Sequence, residues 1–568
     1  MLRVLVLATI AIITLIGSDN IYLSPKGNET VCLIAYLCLT CLFVAYFYKR
    51  ISIKQTTDVA PSILAGSLFL IWSAAGFFFT VNLDDSLPFI VKYLGALSWL
   101  LVLTFYFDSE ARIYEALWLL LLLSIPLSII ALIQQYDLSA LKYHEDHSST
   151  SIFIQMNLFS CYLVFIAPIA ILLFFKSINN VQKIVSGCAF LLLIPALGFS
   201  GSPGGQFTVG IQLAAACFFC WYFSEKIHFK TLAIGISLGF LIYVILVFGL
   251  QPKDMIPSSV EEGESVSLLR RAWIWDHILA RFGFWKAAWG IFKDHWIVGS
   301  GPWTFNLLYP QYLAENEAVH PHAITAHNLF IQTASDYGLV GLVLLVSFMS
   351  FCLVSVFPIL KSNFHGRRFL VFCLLLSVVG FLIQGFIEYL LPVSLFLHYL
   401  ILWVAAIAYL TKKNEVNKKI SFRFLYPMGL VSGIASVFVL VWFYIYDDLV
   451  NSKAFEFRNE QEFFKTISKA KEICPRCDRP HVITAGFHIE GYKKDQKREL
   501  LGQAEEALEE ATRLGHLGYE MDFFKAQIRD LQGKQEEAVF FRKRAKEKSR
   551  LGNRNIFTDF KKMDNDAL

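Results

Sequence analysis

Thirteen apolar runs of membrane-spanning length constrain this chain more than any other feature of it. They fall near 4–17, 30–48, 61–80, 88–107, 113–133, 156–175, 184–199, 207–223, 231–250, 327–357, 369–389, 394–410 and 424–446. A bilayer core offers no water to backbone N–H and C=O groups, so a run of roughly 17 to 25 apolar residues crosses it as a helix, which satisfies those groups internally. The expected fold class is therefore all-α: a polytopic helical membrane protein with about 13 transmembrane helices. Composition agrees, because 17% of the residues are charged, below the roughly 25% of a soluble domain. The runs 184–199 and 207–223 are short, and are expected to tilt or break at the Gly/Pro segment between them. The first run has no small-x-small site after it and more spans follow, so it reads as a span and not as a signal peptide.

Lysine and arginine in the short loops set the orientation. With a cytoplasmic N-terminus the inner loops collect Lys49, Arg50, Lys54, Arg112, Lys176, Lys183, Lys226, Lys230, Lys361, Arg367, Arg368 and the basic run Lys412 to Arg423. The short outer loops collect Lys26 and Lys142. The long loop and everything beyond Tyr446 then lie on the outer face, which for a bacterial inner membrane protein is the periplasm. The net charge of +4 is spent on topology and carries no sign of a nucleic-acid partner.

Two domains are expected. Residues 1–446 form a transmembrane domain interrupted by a polar loop at about 251–326, and 447–568 form an outer helical domain. In the latter, Leu501 to Leu514 and Met521 to Lys548 read as amphipathic helices, with Leu531 to Lys534 as a short turn. Paired helices of this kind suggest a tetratricopeptide-like unit, serving either as a solvated cap or as a platform for a protein partner. Nine of the eleven cysteines fall in spans and act as small hydrophobes. Cys474 and Cys477 lie in the outer part, where an oxidising compartment favours a local disulfide over zinc or redox chemistry.

The loop holds the chemistry. Trp273, Trp275, Trp285, Trp289, Trp296 and Trp303 are interleaved with Arg270, Arg271, Arg281 and Lys286, as in a helix lying at a membrane interface. Arg281, Trp285 and Trp289 share one helical face. Anchoring explains the tryptophans, but Arg281 sits among apolar residues, where a guanidinium suits a bidentate grip on a lipid-linked phosphate. Beyond it stand His320, His322 and His327. Their spacing fits no metal signature and has no Cys or carboxylate in register, so no metal site is assigned. His327, at the mouth of a span, is the candidate general base; the plain alternative is a histidine bonded at the head of a helix.

The run from Ala326 to Gly341, with His327-Asn328, Gln332, Asp336, Gly338 and Gly341, resembles the signature of the O-antigen ligase and protein O-oligosaccharyltransferase superfamily. Arg281-x3-Trp285 with Phe292 to Gly301 is similar to that family's segment before the catalytic loop. Gln155-Met156-Asn157 resembles a Gln-Pro-Asn element, and Glu388 with Pro392 a Glu-x-Pro element, of the protein-glycosylating branch, whose C-terminal extension the helical tail also resembles. Several positions depart from the pattern. Pro203 stands where an arginine is usual, Asp336 replaces Glu, Met156 replaces Pro and Gln384 replaces His.

The resemblance implies transfer of a preassembled glycan from a polyprenyl diphosphate carrier to a hydroxyl on the outer face, without cofactor or nucleotide. His327 would be the base and Arg281 would stabilise the departing diphosphate, with Lys92 as a second cation in place of the missing arginine. Gln155, Asn157, His322, Asn328 and Glu388 would line or orient the site. The implied partners are the lipid-linked glycan, the bilayer and a protein acceptor such as a pilin. A lipid A-core O-antigen ligase and a Wzy-type polymerase are the alternatives. A transporter would need polar residues through the middle of its spans, and here they gather at the outer ends.

Overall fold

The computed structural model describes residues 2–16, 56–135, 150–153, 155–223, 226–249, 281–312, 324–361, 365–412, 418–450, 460–516 and 519–549. Among these the chain is helical apart from one antiparallel ribbon of two four-residue strands, β1 (Thr56–Val59) and β2 (Lys418–Ser421). The helices are α1 (Leu2–Ile16), α2 (Pro61–Phe79), α3 (Leu83–Tyr106), α4 (Glu110–Gln135), α5 (Met156–Lys176), α6 (Asn180–Phe199), α7 (Pro203–Tyr222) and α8 (Lys226–Gly249). A helix over 281–294, here α9, is followed by a single turn, α10 (Phe305–Leu308). Then come α11 (Leu329–Leu360), α12 (His365–Gly385), α13 (Ser394–Thr411) and α14 (Phe422–Asp448). Five shorter helices close the chain: α15 (Glu460–Ile473), α16 (Arg479–Asp495), α17 (Arg498–Arg513), α18 (Tyr519–Leu531) and α19 (Gln535–Ser549).

Ten of the described helices are long and apolar enough to cross a membrane: α2 to α6, α8 and α11 to α14. The chain is a multi-pass helical membrane protein. Of the other expected spans, 207–223 forms the helix α7, whose glycines, glutamines and threonine dilute its hydropathy, and α1 is short for a span. The run 30–48 lies outside the described residues.

Contacts divide the chain into two compact units. The first comprises Met1–Ile71, Lys92–Trp273 and Leu344–Val437; the second comprises Trp72–Val91, Ile274–Val343 and Phe438–Leu568. In the first unit α5 and α13 are almost wholly enclosed by protein. Helix α5 packs on α4, α6, α7 and α12. Where two spans meet, polar groups bridge them, as expected where lipid supplies no hydrogen bonds. Gln212 Nε2 donates to the carbonyls of Val164 (3.1 Å) and Leu376 (2.8 Å), and Ser98 Oγ donates to Gly429 O at 2.9 Å. The outward side of α8 shows Ile234, Phe240, Leu241 and Ile245, as a lipid-facing helix should.

In the second unit the terminal helices form two hairpins, α16 with α17 and α18 with α19. Ala504, Ala507, Leu508 and Ala511 repeat at i, i+3, i+4 and i+7, so one face of α17 is small and apolar. That face packs with Val482, Ala485, Ile489, Met521, Phe524 and Ile528. The turn after α18 is the expected one: Gly533 takes φ +78 and the Lys534 N–H returns to Arg529 O at 2.8 Å, closing the helix end. Cys474 and Cys477 are joined in a disulfide in the turn between α15 and α16.

Candidate active site

Helix α9 carries its apolar residues at Phe284, Ala287, Ala288 and Ile291, the spacing of one helical face. That face is buried on Phe305, Leu308, Tyr309 and Ala326. The Phe284 ring lies 5.7 Å from the Tyr309 ring and 5.8 Å from the imidazole of His327. Arg281 is three residues before Phe284, about 4.5 Å along the helix axis, and is half-buried. His327 therefore packs against the face that α9 buries, and Arg281 is carried by the same helix. On the same helix Phe282 and Trp289 are at least half exposed, as are Trp296 and Ile297 just beyond it, a pattern suited to a membrane interface.

His327 occupies an unusual backbone position. Its φ is +47, left-handed for a β-carbon-bearing residue, and its side chain is half-buried at the head of α11. The following residue starts the helix, with Asn328 Oδ1 accepting from the N–H groups of Phe330 and Ile331, both at 3.0 Å. Asn328 thus fixes where α11 begins. The preceding Ala326 N–H donates to Gln332 Oε1 at 2.6 Å, and Gln332 Nε2 donates to Asp336 Oδ1 at 2.8 Å.

One turn further, α11 breaks at Gly338, whose φ of +67 and ψ of −167 are not helical. The irregular segment 296–301 uses the gap. Leu339 N donates to Trp296 O (2.8 Å), Ser300 N to Ser335 O (2.9 Å) and Gly301 N to Asp336 O (2.9 Å). A β-carbon on Gly299 would lie 2.3 Å from the Asp336 backbone, and one on Gly338 would lie 2.2 Å from Ile297 O. Close approach of two backbones requires glycine at both places.

The same unit ties this segment to the terminal helices. Val81 N donates to Ser300 O and Ser86 Oγ to Pro302 O, at 2.9 and 2.7 Å. Asn82 Nδ2 reaches Asp478 Oδ1 at 3.2 Å, and Asp84 Oδ2 accepts from the N–H groups of Asp478 (2.8 Å) and Arg479 (3.1 Å). A carboxylate from α3 thus sits at the positive end of α16. Arg479 faces Asp85 at 3.5 Å and Asp447 at 4.0 Å, and the His516 imidazole pairs with Asp478. Burial opposes the charge on His516, but the hydrogen bond to Asp478 and the nearby carboxylate charges of Asp478 and Glu520 prevail and raise its pKa to about 10.

The remaining sequence candidates lie in the first unit. Asn157 Nδ2 donates to Glu388 Oε1 at 2.7 Å, and Ser202 Oγ donates to Asn157 Oδ1 at 2.8 Å. Below them Gln384 Nε2 donates to Thr208 Oγ1 at 2.8 Å. Lys92 Nζ donates to Pro392 O at 2.9 Å, so its ammonium is already held on a carbonyl between α12 and α13. Gln155 is exposed just before α5 and makes no side-chain cap there. Pro203, in the place of the usual arginine, is the first residue of α7, where its fixed φ and missing N–H are tolerated. His322 and the neighbouring His320 lie outside the described residues. Sequence reading gave Ser202 no role; its position beside Pro203, in the Gly-Ser-Pro-Gly-Gly run, was the available signal.

These elements can be set beside known proteins. Residues 188–346 match the O-antigen ligase family. The match runs from α6 to the first half of α11 and so includes Arg281, His327, Gln332 and Asp336. No curated protein matches the chain. The O-antigen ligase match supports, in general terms, the handling of a lipid-linked glycan and its acceptor by a membrane-embedded transferase.

Proposed function

We propose that the protein transfers a preassembled oligosaccharide from a polyprenyl diphosphate carrier, undecaprenyl diphosphate in a bacterial inner membrane, to Ser or Thr hydroxyls of a protein acceptor such as a pilin. The observation that carries this reading is the packing of the His327 ring against Phe284 of α9, the helix that also bears Arg281, inside the segment that matches the O-antigen ligase family. In the reaction the acceptor hydroxyl loses its proton to the His327 imidazole as its oxygen bonds to the anomeric carbon. The bond from that carbon to the diphosphate oxygen breaks, and the leaving diphosphate departs with the electron pair. Arg281 meets the charge that develops on it, a task for a planar fork of donors. Asn328 fixes the head of α11, from which His327 projects. The resemblance alone offers Asn157, Glu388, Gln155, His322 and Lys92 as further candidates. No nucleotide or metal enters the scheme, since the carrier diphosphate is already a good leaving group.

The lysine and arginine bias supports a cytoplasmic N-terminus and a periplasmic site. The Cys474–Cys477 disulfide suits that oxidising side. The terminal helical hairpins favour a protein acceptor, while the description of the matched family, O-antigen ligase, favours the ligase alternative. The test is to incubate the purified full chain with an undecaprenyl diphosphate-linked oligosaccharide and either a pilin-like protein or lipid A-core. Glycan on the protein supports the proposal. Glycan on lipid A-core alone makes the chain a ligase, and elongation of the donor alone makes it a polymerase.

A further inference from the structure

The bridge behind His327 has no part in the scheme above, although both of its side chains are wholly enclosed. Gln332 and Asp336 are each 0% exposed, one helical turn apart on the same side of α11. Ala326 is also wholly buried, and it precedes the first turn of α11, where N–H groups have no acceptor within the helix. A buried N–H in that position needs an acceptor from elsewhere. Gln332 Oε1 provides it at 2.6 Å.

An amide side chain has an acceptor end and a donor end, and something must decide which one faces Ala326. A carboxylate oxygen only accepts, so Asp336 Oδ1 takes the Nε2–H of Gln332 at 2.8 Å and leaves Oε1 directed at Ala326. Asp336 is itself held through its backbone, whose carbonyl accepts from Gly301 N at 2.9 Å in the break of α11. The order of constraint runs from the 296–301 segment to Asp336, to Gln332, to Ala326 and so to His327.

We propose that Gln332 and Asp336 are a positioning pair for His327: the carboxylate orients the amide, and the amide holds the backbone that carries the imidazole in its left-handed turn. Neither residue touches the reacting atoms. The inference rests on the reading of His327 as the base, and its content is separate: it says that the pair sets the rate of transfer and leaves substrate affinity alone.

The test exchanges the two chemistries. Gln332→Glu places a second carboxylate against Asp336, whereas Gln332→Glu with Asp336→Asn restores one acceptor toward Ala326 and one donor to acceptor bond within the pair. Transfer is measured with the purified full chain and an undecaprenyl diphosphate-linked oligosaccharide, using the acceptor that the wild type glycosylates. Misplacement of a catalytic group predicts that Gln332→Glu lowers kcat by about ten- to a hundredfold, with KM for the donor within about threefold. Asp336→Asn alone, which keeps the volume of the side chain, lowers kcat in the same way, and the double variant returns to within about threefold of wild type. A wild-type kcat in both single variants overturns the inference, as does a folded double variant no faster than Asp336→Asn. His327→Ala is run alongside. If that variant is fully active, the base assignment falls; if it is inactive while both single variants turn over normally, the positioning role alone falls.

Discussion

His327 pays for its place with backbone strain, since a left-handed conformation costs a residue with a β-carbon about 1–3 kcal/mol. The strain is held by neighbours that the chain places nearby: Asn328 on the helix head and Gln332 behind it. Arg281 invites the sharper substitution. If it grips diphosphate through a planar fork, Arg281→Lys keeps the charge and loses the geometry, so kcat/KM should fall about tenfold or more. Lys286→Arg, an exposed position on the same helix, should change it little. Equal small effects at both positions in donor-saturation kinetics would return Arg281 to membrane anchoring. At Gly299 a β-carbon meets the Asp336 backbone and φ is +82. Gly299→Ala should therefore lower the melting temperature and destabilise the fold by at least about 1–3 kcal/mol; an unchanged melting curve would contradict the close approach. Of these residues, His327-Asn328 was legible because a polar pair before an apolar run is a local signal. The role of Gln332 was not, because its partner is the backbone N–H of Ala326, and a donor that lacks an acceptor ahead of a helix leaves no mark in the residue types.

At the scale of elements, most spans and the terminal helices over 501–514 and 521–548 were readable because each repeats a period within itself, but the pairing of α17 with α16 was not, since no helix is read at 479–495. The run 327–357 read as one span, yet α11 breaks at Gly338, and the reason lies in residues 296–301, which occupy the gap. A glycine in an apolar run does not announce what approaches it. The attachment of α16 was equally hidden: Asp84 and Asp478 are 394 residues apart in sequence, and neither stands in a motif. This attachment has a pH signature. His516 has its pKa raised to about 10 in the folded chain, above the unperturbed value of about 6.5. Its contribution to stability is thus complete below about pH 6.5 and is lost as the pH rises through about 10. Asp478 moves the other way. Burial opposes its ionisation, but hydrogen bonding and charge from His516 hold the carboxyl well below its usual range, so its contribution fails only in strong acid. His516→Gln should lower thermal stability at pH 6 and converge on wild type near pH 10. Melting curves of the two proteins that stay parallel across that range would contradict the pairing.

For the molecule as a whole, the two contact units cut across the linear order. Residues 72–91 and 274–343 group with the terminal helices, so the segment bearing Arg281 and His327 and the helices after Asp448 belong to one unit. A sequence division at residue 446 follows the change in composition, which marks where lipid-facing residues stop and says little about which segments pack together. The terminal helices are therefore expected to influence transfer through the shared network of Asn82, Asp84 and Asp478. Asp478→Ala should weaken acceptor glycosylation more than donor binding, measured with the same lipid-linked oligosaccharide; equal losses in both would point to general unfolding. The central claim is that His327 takes the proton of the acceptor as the glycan leaves its lipid diphosphate. The most direct measurement compares wild type with His327→Ala in a purified transfer assay, with melting curves confirming that both are folded. The account predicts a loss of about 10² to 10⁴ in kcat with donor binding retained, and transfer by His327→Ala within about tenfold of wild type would contradict it.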